Sequence, residues 1–476
     1  MSGSTKIDST EEEQALISKL LLSPQMALAV FLPKGYPETV TPNYWQFAKW
    51  QFLHNVTGSV SAVISTQSLL FAMGLGAGSI PMAAALNWII KDGLGQLGGV
   101  VYASFVSDKF DSEPKRYRFQ ATVAMQGANI LELLTPLWPG YFLIIASISN
   151  IGKNMAWLAS SATRAQMNKT FALRDNLGDI TGKSGSQATA AGLVGTGLGV
   201  IIAALMSHVS EDPAVLPLVP MCLTFMPFAF LNIYSNYRSS HYVTTSSLNV
   251  SRIETVFHNI LKEMDLGRSD TSSSSSNSSR ISISNSINGS GSGSGSGSDI
   301  SKEKQLSSQL QERLERLIPT PKHVAHEEVF VGPYHSPFKI GVEIEPIISR
   351  YAGQGERAWA LGQALRQAHF VRTERYYMMA DATESNKVVI WFDKKAQNSD
   401  LVQGFYHACA ARKILERRRG DGPEVWEEAV RAAHEEAIAS VATVSEVMSG
   451  KGWDMSSLFL TDGDRNRIQL DSLSSV

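Results

Sequence analysis

Between residues 164 and 208 a charged, glycine-punctuated segment runs straight into an uncharged apolar run. That junction constrains the fold more than any other stretch. Arg164, Lys169, Arg174, Asp175, Asp179 and Lys183 crowd its first part, while residues 188–207 hold no charge at all. The apolar run matches the ~20 residues that a helix needs to cross hydrocarbon. Cations gather in the loops on the cytoplasmic side of such helices, so the charged part reads as a cytoplasmic loop.

Hydropathy and loop charge together predict six spans, at about 54–76, 81–106, 119–136, 138–162, 188–207 and 214–235. Only the last two convince by hydropathy alone, because the second holds Lys91 and Asp92, the third Glu132, and the fourth Lys153 and Asn154. The connections support the weaker four. Those after spans two and four are basic (Lys109, Lys115, Arg116, Arg118; Arg164, Lys169, Arg174, Lys183), and those after spans one, three and five have no Lys or Arg. A soluble bundle has no reason to sort its cations this way, and a membrane does. Both termini are then cytoplasmic. Ahead of the spans, three prolines between Pro33 and Pro42 forbid a regular helix until about Asn43, where an aromatic-rich helix begins. The acidic start lacks the pattern of a secretory signal or a transit peptide.

Beyond Tyr237 the chain turns polar. Ile253, Val256, Phe257, Ile260 and Leu261 recur at helical spacing and predict an amphipathic helix, followed by a Ser/Gly-rich tether over 267–300. From Lys302 an α+β unit is expected. It has a helix over 302–318, strands at V-F-V-G-P-Y and F-K-I-G-V-E-I-E-P, and a helix from Glu356 to Phe370. R-Y-Y-M-M-A and K-V-V-I-W-F-D form a hairpin, and two helices follow over 399–419 and 423–449. The expected fold class is mainly α: a polytopic helical membrane domain of about six spans with a soluble C-terminal α+β domain. Its parts are an N-terminal segment with an interfacial helix (1–50), the spans (51–237), an amphipathic helix and linker (238–301), and the C-terminal domain (302–476).

Several stretches resemble the root UVB sensitive family and its vitamin B6 photo-protection and homeostasis domain. They are F-L-P-K-G-Y-P-E-T-V (31–40), S-T-Q-S-L-L-F-A-M-G-L-G (65–76), N-W-I-I-K-D-G-L-G-Q-L-G-G (87–99) and F-A-L-R-D-N-L-G-D-I-T-G-K-S-G-S-Q (171–187). D-L-V-Q-G-F-Y-H-A and G-W-D follow the family's C-terminal pattern more loosely. The resemblance implies a eukaryotic membrane protein linked in plants to seedling development, vitamin B6 homeostasis and auxin-linked responses, and it brings no defined reaction. Separately, Gly99 through S-D-K-F-D-S-E-P-K-R resembles the loop between the second and third helices of major facilitator transporters, with Asp111 standing where a glycine is expected. On that resemblance the chain is half of a twelve-helix arrangement, completed by a homodimer or by a related family member.

The candidate intramembrane polar site is Lys91, Asp92, Glu132, Lys153 and Asn154, since a charge in hydrocarbon demands a partner or a wet cavity. Neighbours on a helix point about 100° apart, so Lys91 and Asp92 each need a partner on another span, and Glu132 with Lys91 or Lys153 forms a plausible set. The candidate motif loop holds Arg164, Arg174, Asp175, Asn176, Asp179, Lys183 and Gln187, with Asp175, Asp179 and Lys183 read as a charge cluster that fixes it. G-D-I-T-G-K-S is one residue short of a phosphate-binding loop and sits between spans. Gly95/Gly99 and Gly195/Gly199 read as close helix packing. Two cysteines offer no disulfide framework, His323 and His326 lack metal spacing, and no catalytic order of side chains stands out. No cofactor, no metal and no nucleic acid is expected, the last because the net charge is −2. The partners expected are a lipid bilayer and a small ligand. The function expected is handling of a small polar metabolite, and the alternative is a non-transporting scaffold whose C-terminal domain recruits a protein. An enzyme is the least favoured reading.

Overall fold

The computed structural model describes residues 30–73, 82–207, 218–269, 308–332, 336–341, 371–372, 375–381, 387–417, 423–460 and 467–468. The chain divides into two compact units, Met1–Thr244 and Thr245–Val476.

The first unit is a bundle of long helices: α1 (Tyr44–Ala72), α2 (Met82–Phe110), α3 (Pro114–Leu134), α4 (Phe142–Lys169), α5 (Leu177–Ser207) and α6 (Leu218–His241). α1 starts one residue past Asn43, as the upstream prolines require, and α3 opens on Pro114, whose missing N–H costs nothing at a first turn. α1 packs against α3, α5 and α6, and α4 packs against α2 and α3. Three of the six, α4 (with the turn before it), α5 and α6, are long and apolar enough to cross a membrane by length and composition, among the described residues.

Glycine sets how closely two of these pairs approach. A Cβ on Gly195 of α5 would lie 2.3 Å from the Val56 carbonyl oxygen of α1, and one on Gly199 would lie 2.8 Å from Val63 Cβ. On α2, a Cβ at Gly98 would meet Ile151 of α4 at 2.6 Å. The clash at Gly195 is with backbone, which no rotamer change relieves. Gly195→Ala should therefore cost about 1–3 kcal/mol, the usual range for overpacking, read as a lower unfolding midpoint in detergent.

The second unit is α+β. Its strands are β1 (Ser247–Asn249), β2 (Phe338–Ile340), β3 (Val371–Arg372), β4 (Tyr376–Asp381), β5 (Lys387–Asp393), β6 (Asp454–Phe459) and β7 (Arg467–Ile468). Its helices include α7 (Val250–Ser269), α8 (Pro321–Glu327), α9 (Asn398–Arg417) and α10 (Pro423–Gly450), with residues 308–317 also helical. β4 and β5 pair antiparallel from Tyr376↔Phe392 to Asp381↔Lys387, the hairpin expected from the alternation. β2 and β7 join β5 in parallel, β3 joins β4, and β1 and β6 form a separate parallel pair.

The sequence expectations for this half need two adjustments. The amphipathic helix expected within the connecting segment is α7, and Ile253, Val256, Phe257, Ile260 and Leu261 lie in the core of the second unit beside Phe405 and Tyr406. V-F-V-G does not form a strand at 329–332. Burial does alternate there, with Phe330 in and Val329 and Val331 out, but Pro333 follows and offers no N–H to a ladder. The expected helix Glu356–Phe370, the tether, and the strand residues beyond Gly341 lie outside the described residues.

Candidate functional site

The first unit leaves many large apolar side chains exposed and buries polar ones among its apolar core clusters. On α2, Leu86, Ile90, Leu94, Leu97, Val101 and Phe105 recur every three or four residues and are all exposed, Phe105 by 78%. Leu193 of α5 and Phe230 of α6 are exposed by 76% and 73%. The buried face of α3 instead carries Arg118, Thr122, Gln126, Asn129 and Glu132, spaced by three and four, which places them in one stripe along the helix.

That stripe is knitted to its neighbours. Gln126 Nε2 donates to Asn232 Oδ1 of α6 at 2.8 Å, and Asn232 Nδ2 donates to the His54 carbonyl of α1 at 2.6 Å. Ser65 Oγ of α1 donates to Asn129 Oδ1 at 3.3 Å, and Thr122 Oγ1 donates to the Arg118 carbonyl at 3.1 Å. Beside it, Asn236 is fully buried with neither amide atom hydrogen-bonded among the described residues. Hydropathy and charge pick out the ionised residues of the spans and pass over these amides. Their three- and four-residue spacing inside a span is the signal that marks them.

The stripe ends at an ion pair. Glu132, 2% exposed, accepts from Lys153 Nζ of α4, one of the pairings expected. Lys91 and Asp92 behave otherwise. The angle between neighbours on a helix predicts a partner on another span for each, but Lys91 Nζ reaches Asp92 Oδ1 at 2.6 Å on its own helix. Adjacent side chains do leave the helix at different angles, yet lysine's four-carbon stem is long enough to curl back. α4 then holds the product in place, with Asn150 Nδ2 donating to Asp92 Oδ1 and to the Lys91 carbonyl, each at 3.1 Å. The Lys91 ammonium also sits 4.3 Å from the centre of the Trp88 ring. Asn154 turns away from the charges: it donates to the Asn150 carbonyl at 2.9 Å and packs its Cβ against Gly99.

The expected motif loop is largely helical, with Arg164 on α4, Asp179, Lys183 and Gln187 on α5, and only residues 170–176 between them; this segment binds a second motif. Val40 bridges Ala172 antiparallel, Leu173 N donates to the Thr39 carbonyl, and Asn176 Nδ2 donates to that same oxygen at 3.1 Å. Asp179 Oδ2 accepts from Lys34 N at 2.7 Å, and Gln187 Nε2 donates to the Phe31 carbonyl at 2.6 Å and to Tyr44 Oη at 3.2 Å. Residues 171–187 thus clamp residues 31–40, above a small core of Tyr44, Phe47, Met167 and Phe171. Asp175 takes φ 51° at the turn, Arg174 is exposed, and Lys183 is half-buried. Arg164 stands apart from the clamp. It lines a cleft with Arg118, Gln51, Asn55 and Ser184, floored by Phe47, Met167 and Ala188.

In the second unit, Tyr376 Oη and His407 Nδ1 lie 3.0 Å apart, and His407 Nε2 lies 2.8 Å from the Val430 carbonyl. Burial holds His407 down at about 4, so the ring is neutral at physiological pH, with Nε2–H donating to the carbonyl. Burial pushes the Cys409 thiol far up, which makes it a poor nucleophile. Among the described residues no group of three His, Cys, Asp or Glu could hold a metal.

The sequence has relatives among known proteins. Residues 21–264 match the family model described as the vitamin B6 photo-protection and homoeostasis domain. The chain is 35% identical over 236 residues to protein root UVB sensitive 4 of Arabidopsis thaliana, covering 49% of this chain and 44% of that protein. It is 33% identical to root UVB sensitive 3 of the same plant, covering 47% of this chain and 50% of that one. It is 31% identical to RUS family member 1 of Dictyostelium discoideum, covering 48% and 42%. The chain thus spans about half the length of the curated relatives it matches. No solved structure matches it.

Proposed function

The chain belongs to the root UVB sensitive family, and from that footing we propose that its helical unit lies in a bilayer and handles a small polar solute along the α3 stripe. The observation that carries this reading is a buried polar stripe within a bundle whose exposed surface is apolar. In water, an apolar exterior such as that of α2, α5 and α6 would cost about 25 cal/mol per Å², and monomeric soluble proteins rarely leave such a patch open. In lipid the same exterior is favourable, and polar side chains belong inside, where they find partners or a solute. All six helices then span, including α1, α2 and α3, which bury Gln51, Lys91 and Glu132. As half of a larger arrangement, the unit would be completed by a second copy or a related family member.

The matched domain description names vitamin B6, so a B6 vitamer is the first solute to test. The full chain in proteoliposomes should take up its solute, first sought by comparing metabolites of cells with and without the protein. Asn232→Leu removes the hub joining α1, α3 and α6 and should lower uptake at least tenfold in protein that still elutes as a folded species. A scaffold whose charges only lock helices predicts no uptake by either form. Tags near residues 78 and 115 must also prove reachable from opposite sides; labelling from one side would end the bilayer reading.

A further inference from the structure

The cleft beside the stripe has the chemistry of an anion site. Arg118 from α3 and Arg164 from α4 both line it, and among the described residues no Asp or Glu does. Arg118 is 5% exposed, spends Nη1 on the Ser160 carbonyl at 2.5 Å, and keeps Nε buried with no hydrogen-bond partner among the described residues. Arg164 makes no ion pair among the described residues either. Two guanidinium groups that repel each other across a partly buried cleft raise the energy of the fold unless an anion joins them. Asn55 and Ser184 add neutral donors at the same wall.

We propose that this cleft binds an oxyanion of the phosphate type, with Arg118 and Arg164 forming charge-assisted contacts and Ser184 and Asn55 completing the shell. Guanidinium suits this task because its fixed fork of N–H groups matches the oxygens of a phosphate. The proposal deepens the solute reading, and rests on it only in taking the cleft as the mouth of the stripe: Arg118 is the stripe's first member.

Equilibrium binding of radiolabelled inorganic phosphate to the full chain in detergent tests it. Saturable, salt-sensitive binding is expected, weakened about tenfold or more by Arg164→Gln, the loss of roughly one charge-assisted contact. Arg164→Lys should retain part of the affinity. Arg118→Gln should abolish binding, and because that variant alters a buried residue, Arg164→Gln at a half-buried helix end decides the case if it misfolds. No saturable phosphate binding by the unaltered chain overturns the proposal, and so does equal binding by Arg164→Gln. Competing vesicles separate two sources of the same chemistry. Displacement by phosphatidylcholine vesicles carrying phosphatidic acid, and not by phosphatidylcholine alone, assigns the cleft to a lipid headgroup. Displacement by neither assigns it to a dissolved phosphate. Lost phosphate binding with intact uptake counts against the cleft alone; intact binding with no uptake counts against the pathway alone.

Discussion

Glu132→Ala is expected to destabilise the helical unit by about 3–5 kcal/mol, and adding Lys153→Met to return most of that loss. The reason lies in what each change leaves behind. The single variant strands the Lys153 ammonium at a site where Glu132 is its carboxylate partner, while Asp92 is already held by Lys91 and Asn150. An unpaired charge in a low-dielectric interior costs more than the intact pair contributes, so removing one partner is worse than removing both. Unfolding of the four forms in one detergent gives the coupling directly. If the double variant falls by the sum of the two singles, the pair is not coupled, and the lock at the end of the stripe is not there. If the double variant is stable yet takes up no solute, the charges serve the solute as well as the fold.

How much of this is legible in the chain depends on the range of the interaction involved. The start of α1 past Pro42 and the β4–β5 hairpin follow from local rules of proline geometry and alternation, and both stand where those rules put them. Glu132 with Lys153 is readable because buried opposite charges must meet. Lys91 with Asp92 is not, because helix geometry fixes where a Cβ points but not where a flexible stem ends. The amides Gln126, Asn129 and Asn232 escape notice because neutral side chains barely dent the hydropathy of a span, although their spacing marks one face. Arg118 and Arg164 look like two loop cations. Only the packing of α3 on α4 shows that they share a cleft, and no local pattern encodes that. The clamp between residues 31–40 and 171–187 is equally hidden: each motif stands out by itself, and nothing short of the fold says that they hold each other.

Between pH 7 and pH 4 the second unit is expected to lose about 3 kcal/mol through His407 alone. Its folded value, about 4, lies below the 6.5 of an unfolded histidine, so the unfolded chain binds the extra proton first as the pH falls. The stabilisation is therefore complete above 6.5 and is lost as the pH falls toward 4; each pH unit between the two values is worth about 1.4 kcal/mol. The geometry explains the sign. Neutral His407 uses both ring nitrogens, with Nε2 donating to Val430 and Nδ1 accepting from Tyr376, and a second proton would have no acceptor at Nδ1 while that hydroxyl donates. His434, its ring centre 5.1 Å away, is also held below its usual value by burial and adds a contribution of the same sign. Hydrogen exchange of the α9 amides in the full chain, corrected for the intrinsic pH dependence of exchange, measures the opening free energy across this range. His407→Gln removes the titration, so its loss on acidification should be smaller by about 3 kcal/mol. Parallel losses in the two proteins would mean that the imidazole is not what makes this unit acid-sensitive, and the carboxylates would then have to account for it.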